Sequence, residues 1–124
     1  MRKSQSVIAQ PDKQSKQANQ TVRFVHQSES EFARILDFYQ VAWEYEPQTF
    51  PLRWNESGDA IECLSPDFYL PAYGVYIELT TMKPRLMAKK RRKIRLFQEI
   101  YPHLQIRLIQ SKDFHQLMWK YVRQ

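Results

Sequence analysis

Helices are indicated where apolar residues recur three and four positions apart. One helix is predicted from about residue 28 to residue 40, and a second begins at Pro84 and runs to about residue 101. Proline suits the first turn of a helix, where a backbone N–H has no partner to lose. Ser111 is placed to cap a third helix. The apolar stripes of the three helices consist of Phe32, Ile35, Leu36 and Tyr39; Met87, Ile94, Phe97 and Tyr101; and Phe114, Leu117, Met118 and Tyr121.

Strands are predicted between these helices, where apolar and polar residues alternate or where β-branched and aromatic residues cluster. Pro51 makes one of them an edge strand, because proline cannot donate a hydrogen bond to a ladder. The order of helix, strands, helix, strand, helix predicts an α/β domain with a mixed central sheet flanked by helices. The predicted strands cover residues 41–46, 49–54, 61–70, 75–80 and 104–109.

The beginning of the chain has a different composition from the rest. Residues 1–21 are rich in Gln, Ser and Lys and have no periodic apolar residues, which is typical of disordered segments. We therefore expect a disordered arm over residues 1–27. The remaining residues, 28–124, are enough for one folded domain and show no internal repeat.

Composition excludes several classes of protein. No apolar run approaches the roughly 18–20 residues of a membrane helix, and no apolar leader segment is present. The single cysteine, Cys63, cannot form an internal disulfide, and together with three scattered histidines it does not make a zinc site. Two glycines cannot build a phosphate-binding glycine-rich loop, so we expect no nucleotide cofactor. A cytoplasmic protein with no membrane association is the expectation.

Positive charge is concentrated in one segment. The net charge is +6, but residues 83–95 carry eight basic residues and no acid. Such a stripe favours binding to a polyanion, although a solvated helix face is the alternative interpretation. An acidic protein partner is a further, weaker alternative. The residues predicted to contact nucleic-acid phosphates are Arg85, Lys89, Arg91, Arg92, Lys93 and Arg95.

A predicted hairpin brings two acids together. If residues 71–74 form a four-residue loop, Asp67 lies directly opposite Glu78, with Cβ atoms roughly 4.5–5.5 Å apart. The same register places apolar residues opposite one another on the other face, which favours it. A bound divalent cation would compensate the two like charges. Protonation of one acid, or a nearby lysine, would do so as well. Tyr69 and Tyr76 share the acidic face and are the aromatic residues we would test for base stacking.

Glu29 is a candidate third acid. It lies three residues before Phe32, on the helical stripe that faces the sheet. The alternative is a first-turn acid that only interacts favourably with the helix dipole. Glu31 is the competing candidate for the third acid. With Ser28 it has the spacing of a capping box, and this role already accounts for an acid at that position.

The ordered set of these residues resembles a known family. Glu29 in a first helix, the segment WEYEP (residues 43–47), Pro66-Asp67, Glu78-Leu79-Thr80, a basic helix and a final strand are similar to the PD-(D/E)xK nuclease superfamily over about residues 28–110. Phage-type junction-resolving endonucleases and transposon-end nucleases are the nearest likeness within it.

The resemblance implies a restriction-endonuclease-like fold and an Mg²⁺- or Mn²⁺-dependent endonuclease. Asp67 and Glu78 are then the metal-binding acids, assisted by Glu29. The substrate is nucleic acid, with DNA expected and with duplex, branched or single-stranded DNA and RNA left open. No sequence-reading motif is evident, so structure-specific binding or a targeting partner is expected to direct cleavage. A homodimer would supply the two active sites that cutting both strands requires.

One position departs from the family pattern. The lysine expected two residues after the second acid is Thr80, which can hydrogen-bond but carries no charge. Lys83 or Lys90 is predicted to supply the missing ammonium group to the catalytic site. Lys90 lies four residues before the apolar Ile94 and is therefore expected to turn partly toward the sheet. The alternative is a catalytically inactive nucleic-acid-binding module of the same fold.

Overall fold

The structure, a computed structural model, describes residues 22–80, 83–110, 113, 116 and 119–120. The predicted arm over residues 1–21 and most of the helix predicted after Ser111 lie outside the described residues. The helices are α1 (Gln27–Phe38) and α2 (Pro84–Ile100). The strands are β1 (Glu44–Tyr45), β2 (Phe50–Trp54), β3 (Ala60–Leu64), β4 (Phe68–Leu70), β5 (Val75–Thr80) and β6 (Gln105–Gln110).

The described strands form a mixed four-stranded sheet and a separate two-stranded hairpin. The larger sheet has the order β1-β4-β5-β6, and the hairpin consists of β2 and β3. β1, β4 and β5 pair antiparallel, whereas β6 lies parallel to β5 after the α2 crossover. The predicted α/β class and the mixed sheet are confirmed.

The two faces of the sheet pack against different elements. Val75, Ile77 and Leu79 of β5 belong to an apolar cluster that includes α1. Tyr76 belongs to a second cluster, formed with the hairpin and α2. Successive side chains of a strand point to opposite faces, so α1 covers one face of the sheet, and α2 with the hairpin covers the other.

The turn between β4 and β5 sets the register of the central strands. Residues 71–74 form the predicted four-residue turn, in which the amides of Tyr73 and Gly74 both donate to the carbonyl of Leu70. Gly74 has a φ of 63°, a conformation in which a side chain is disfavoured. Leu70 pairs with Val75, and Phe68 with Ile77. The predicted register is confirmed.

Two predicted strands are wrong in their extent. The single strand predicted over residues 61–70 is two strands, β3 and β4, that belong to different sheets. Pro66 lies between them and has no N–H to continue a ladder. The strand predicted over residues 41–46 is reduced to β1. Glu46 adopts a φ of 44° that ends the extended conformation on its C-terminal side.

The start of the folded region also differs from the prediction. Val22 and Phe24, which the sequence pattern assigns to the arm, pack against the α1 cluster. Helix α1 begins at Gln27, one residue before the predicted cap at Ser28. The predicted capping box of Ser28 and Glu31 is wrong, because Glu29 accepts the backbone N–H of His26 at 3.4 Å instead.

No helix within the described ranges combines the length and the apolar character that crossing a membrane requires.

Phe68 is the residue whose truncation should cost most stability. Its ring is fully buried and contacts the rings of Phe24, Phe32, Trp43 and Tyr45. We expect Phe68→Ala to lower the free energy of unfolding by about 3–5 kcal/mol, measured by urea denaturation. Phe38→Ala is the matched control, since Phe38 is 78% exposed, and should change stability by less than about 0.5 kcal/mol. Similar losses in both variants would contradict this description of the core.

Candidate functional site

Asp67 lies at the point where the β4 ladder begins. Its Oδ2 accepts the backbone N–H of Leu79 at 2.8 Å, and its carbonyl accepts the N–H of Glu46 at 2.8 Å. The carboxylate therefore replaces a backbone acceptor for strand β5. The residue is only 7% exposed, so this acid is held inside the protein and in one orientation.

Glu78 faces the same side of the sheet as Asp67. Continuing the β4–β5 register by one pair places these two residues opposite each other. The alternate residues Ile77 and Leu79 belong to the α1 cluster, so Glu78 points toward α2. Glu78 is also 7% exposed. Its Oε1 is buried and has no hydrogen-bond partner among the described residues.

Burial perturbs both acids, and the charge of Glu78 acts in addition on Asp67. Burial, followed by the negative charge of Glu78, raises the pKa of Asp67 to about 8. Burial raises the pKa of Glu78 above its ordinary value, although Lys90 acts in the opposite direction. The two carboxyl groups thus hold protons more tightly than solvent-exposed acids do.

Lys90 reaches this site from α2. Its Nζ lies 3.1 Å from Oε2 of Glu78 and donates to the carbonyl of Leu79 at 2.5 Å. It forms no ion pair with Asp67, and Asp67 forms none with any other described residue. The prediction that Lys90 turns toward the sheet is confirmed. Its ammonium group contacts one oxygen of the acidic pair and leaves Oε1 of Glu78 unpaired.

Thr80 and Lys83 are the other two residues considered in place of the family's lysine. Thr80 is buried on the Glu78 side of β5, and its Oγ1 donates to Sδ of Met87 at 3.0 Å. Lys83 is exposed and occupies the N-cap position of α2. Of the two lysines proposed from the sequence, Lys90 is the one that the described contacts bring to the acids.

Glu29 is buried at the start of α1, 4% exposed. Its Oε1 accepts the hydroxyl of Tyr45 at 2.6 Å and the N–H of Val25 at 3.1 Å. Its charge contributes to raising the pKa of both Asp67 and Glu78. Glu29 is therefore close enough to act on the pair electrostatically, while one of its oxygens is held by Tyr45 and the backbone.

Tyr45 is a site residue that the sequence pattern does not reveal. Burial, followed by the hydrogen bond to Glu29, raises its pKa. The hydroxyl interacts with Glu29, 16 residues away in the sequence, and no local pattern encodes that distance. The only available signal is the position of Tyr45 in a predicted strand.

Two of the six predicted phosphate contacts are engaged within the protein. Arg92 forms an ion pair with Glu62, and Lys93 donates to the carbonyl of Cys63 at 3.0 Å. Both interactions join α2 to strand β3. Lys93 is half-buried rather than on the outer side of the helix, because its side chain packs toward the hairpin.

The other four basic residues are available at the surface. None of them has a hydrogen bond or an ion pair with another described residue, and all four are exposed: Arg85, Lys89, Arg91 and Arg95. They form the exposed basic surface of α2.

The site does not contain a ready-made metal cage. In the part of the chain that is described, no three His, Cys, Asp or Glu side chains are grouped so as to hold a metal ion. Of the three predicted ligands, Asp67 and Glu78 face each other across β4 and β5, and Glu29 acts on both electrostatically.

Comparisons of the chain with protein-family models, curated proteins and solved structures found no match.

The raised pKa of Asp67 predicts how stability depends on pH. The folded protein keeps a proton on this carboxyl up to about pH 8, whereas the unfolded chain releases it near pH 3.9. The contribution of this carboxyl to stability is therefore fully present below about pH 4 and is lost as the pH rises toward 8. Within this range the titration of this carboxyl lowers Tm as the pH rises.

We expect Asp67→Asn to flatten this decline in Tm, measured in EDTA by thermal unfolding between pH 4 and pH 8.5. Asp59→Asn is the matched control, since Asp59 is an exposed aspartate in the β2–β3 turn, and it should keep the decline. A Tm that depends on pH in the same way in the unmodified protein and in Asp67→Asn would contradict the perturbed state of the acidic pair.

Proposed function

We propose that the protein is a metal-dependent nuclease that hydrolyses nucleic-acid phosphodiester bonds, with DNA as the expected substrate. The order of elements supports a PD-(D/E)xK architecture: a helix, a strand, an antiparallel strand pair, a crossover helix and a parallel strand. The β2–β3 hairpin is an insertion between the first two strands of this sheet. Helices α1 and α2 cover opposite faces of it.

The observation that carries the proposal is the unpaired oxygen of Glu78. A buried polar atom without a partner costs free energy, roughly 1–3 kcal/mol and more when charged. Oε1 of Glu78 is such an atom, and it lies beside a second buried acid, Asp67. Hard oxygen ligands of this kind suit Mg²⁺ or Mn²⁺. A cation bound by the two acids would offset both the unpaired oxygen and the like-charge repulsion.

Asp67 and Glu78 would supply the protein ligands. Mg²⁺ in proteins commonly binds one or two carboxylates and completes its shell with water and substrate phosphate, so the pair is sufficient. When bound, the metal would neutralise charge on the phosphoryl oxygens and lower the pKa of an attacking water. Both acids must lose their protons to bind it.

Lys90 supplies the charge that Thr80 cannot. Its ammonium group lies beside Glu78 and is held by the Leu79 carbonyl. A fixed positive charge at this place would orient the attacking water and stabilise the negative charge that develops on the phosphoryl group. The side chain comes from α2 rather than from β5, but it reaches the same carboxylate.

The exposed basic surface of α2 would bind the backbone of the substrate. Arg85, Lys89, Arg91 and Arg95 belong to the helix that carries Lys90, so phosphates bound along it lie next to the acidic pair. Contacts of this kind position a nucleic acid and carry no sequence information.

Metal binding and cleavage should both depend on Glu78. We expect Glu78→Gln to lower nicking of a supercoiled plasmid by at least about 100-fold in Mg²⁺ or Mn²⁺, because one of the two anionic ligands is replaced by a neutral one. Calorimetric titration with Mn²⁺ should show binding to the unmodified protein and a much weaker signal in the variant. Removing one negative charge from the pair relieves repulsion, so the variant should remain folded.

Glu62→Gln is the control for this experiment. Glu62 pairs with Arg53 and Arg92 near the surface, and its replacement should leave Mn²⁺ binding and nicking unchanged. Lys90→Gln should retain Mn²⁺ binding but lose most of the cleavage. Equal nicking by Glu78→Gln and the unmodified protein would refute the proposed nuclease site. Binding of nucleic acid without any cleavage would favour the inactive module.

Salt dependence should report the number of phosphate contacts. Four available basic residues predict that log K for duplex DNA falls with log salt at a slope of about −3.6, from roughly −0.9 per contact. Arg91→Ala and Arg95→Ala should each make the slope shallower by about 0.9, measured by fluorescence anisotropy. Arg53→Ala, which removes an equal charge from the hairpin, should leave the slope unchanged. A slope indifferent to Arg91 and Arg95 would exclude α2 as the phosphate-binding surface.

A further inference from the structure

Tyr69 lies on the acidic face of the sheet, two residues after Asp67 and beside the candidate metal ligands. It is half-buried, and the centre of its ring is 4.4 Å from that of Tyr76, which supports it from one side. Tyr76 is itself only 8% exposed and packs against Phe50. Of this tyrosine pair, Tyr69 therefore has the more accessible ring, and the ring of Tyr76 beside it is buried in the core.

The spacing between Tyr69 and the acidic pair suits one nucleotide. Two residues along a strand correspond to about 6.7 Å, a separation that a nucleotide can span between its phosphate and its base. A phosphate at Asp67 and Glu78 would place the attached base in the region of Tyr69. An aromatic ring in this position can stack on any base whose face is free.

Glu44 adds a hydrogen-bond acceptor at the edge of this ring. It is the direct cross-strand partner of Tyr69 in the β1–β4 pair. Glu44 is exposed and has no hydrogen bond or ion pair with another described residue. Burial is the largest cause of the raised pKa of Tyr76, and the charges of Tyr69 and Glu44 raise it further. Tyr69 and Glu44 therefore both lie close enough to Tyr76 to interact with it electrostatically.

A carboxylate accepts a hydrogen bond from an exocyclic amino group and repels a carbonyl oxygen at the same place. Glu44 should therefore distinguish bases that carry an amino group from thymine and uracil. The base must also be unpaired, because the ring of Tyr69 can stack only on a base taken out of a duplex.

We propose that Tyr69 and Glu44 form a nucleobase subsite that binds an unpaired, amino-bearing base next to the scissile phosphate. This inference rests on the proposed function, since it takes nucleic acid as the ligand, and it assigns single-stranded or locally opened nucleic acid as the substrate class.

The test compares single-stranded oligonucleotides of cytosine and of thymine, equal in length, bound by the full chain in EDTA. Cytosine and thymine are similar in size and carry an amino group and a carbonyl, respectively, at the same ring position. We expect the cytosine strand to bind about 5- to 150-fold more tightly, measured by fluorescence anisotropy. Glu44→Ala should abolish this preference, whereas Glu56→Ala, an equal charge change in the exposed β2–β3 turn, should preserve it.

Stacking is tested separately at Tyr69. Tyr69→Ala should weaken binding of both strands by about 5- to 150-fold, and Tyr69→Phe should restore it, because the ring and not the hydroxyl stacks on the base. Thermal unfolding checks that the variants are folded. Glu44 is exposed, so its variant keeps the subsite testable even if Tyr69→Ala does not fold.

The outcomes separate this subsite from the nuclease itself. Equal binding of cytosine and thymine strands, or full affinity in a folded Tyr69→Ala variant, would overturn the subsite even if Glu78→Gln abolishes cleavage. If the effects of Tyr69 and Glu44 are observed while Mn²⁺ neither binds nor supports cleavage, the nuclease proposal fails and the base-binding subsite remains.

Discussion

Pairing of β4 with β5 is the constraint on which the rest of the site depends. The turn over residues 71–74 fixes Leu70 opposite Val75, and the apolar residues of both strands then bury one face against α1. A slip by one residue would turn that apolar set away from α1 and toward α2, so the core enforces the register. The register in turn places Asp67 and Glu78 side by side on the opposite face. Hydrophobic packing on one side of the sheet thus fixes an electrostatically unfavourable pair on the other.

Only part of this electrostatic cost is offset within the protein. The Leu79 amide satisfies one oxygen of Asp67, and Lys90 pairs with one oxygen of Glu78. Oε1 of Glu78 remains without a partner among the described residues. Folded proteins rarely leave buried polar atoms unsatisfied, and those that persist are concentrated where binding or catalysis requires them. A well-packed apolar pair at these positions would stabilise the fold better, and the proposed cation would offset the part of the cost that the protein leaves.

Sequence reasoning succeeds where the determinants are local. The four-residue turn, the alternation of β4 and β5 and the four-residue spacing from Lys90 to Ile94 lie within short segments, and they correctly predict the register and the direction of Lys90. It fails where the partner is remote. The acceptors of Arg92 and Lys93 are 30 residues away in a hairpin of a second sheet. Tyr45 is missed for the same reason, because its partner Glu29 is 16 residues away in the sequence. The division of residues 61–70 between two sheets is missed because it depends on which strands pair.

Helix α2 combines three tasks because its faces meet different surroundings. Ile94 and Phe97 pack on the sheet, Arg92 and Lys93 join the helix to the hairpin, and the remaining basic residues stay exposed. Lys90 lies at the boundary between packed and exposed faces, where its long aliphatic stem can cross apolar surface and bring the ammonium group to Glu78. The residue two positions after Glu78 is the uncharged Thr80. Its hydroxyl donates a hydrogen bond to Sδ of Met87 in α2. That contact joins α2 to β5, the two elements that carry Lys90 and Glu78. Helix α2 therefore supplies the positive charge beside Glu78 and also packs against the strand that carries this acid. A change that loosens α2 should disturb both.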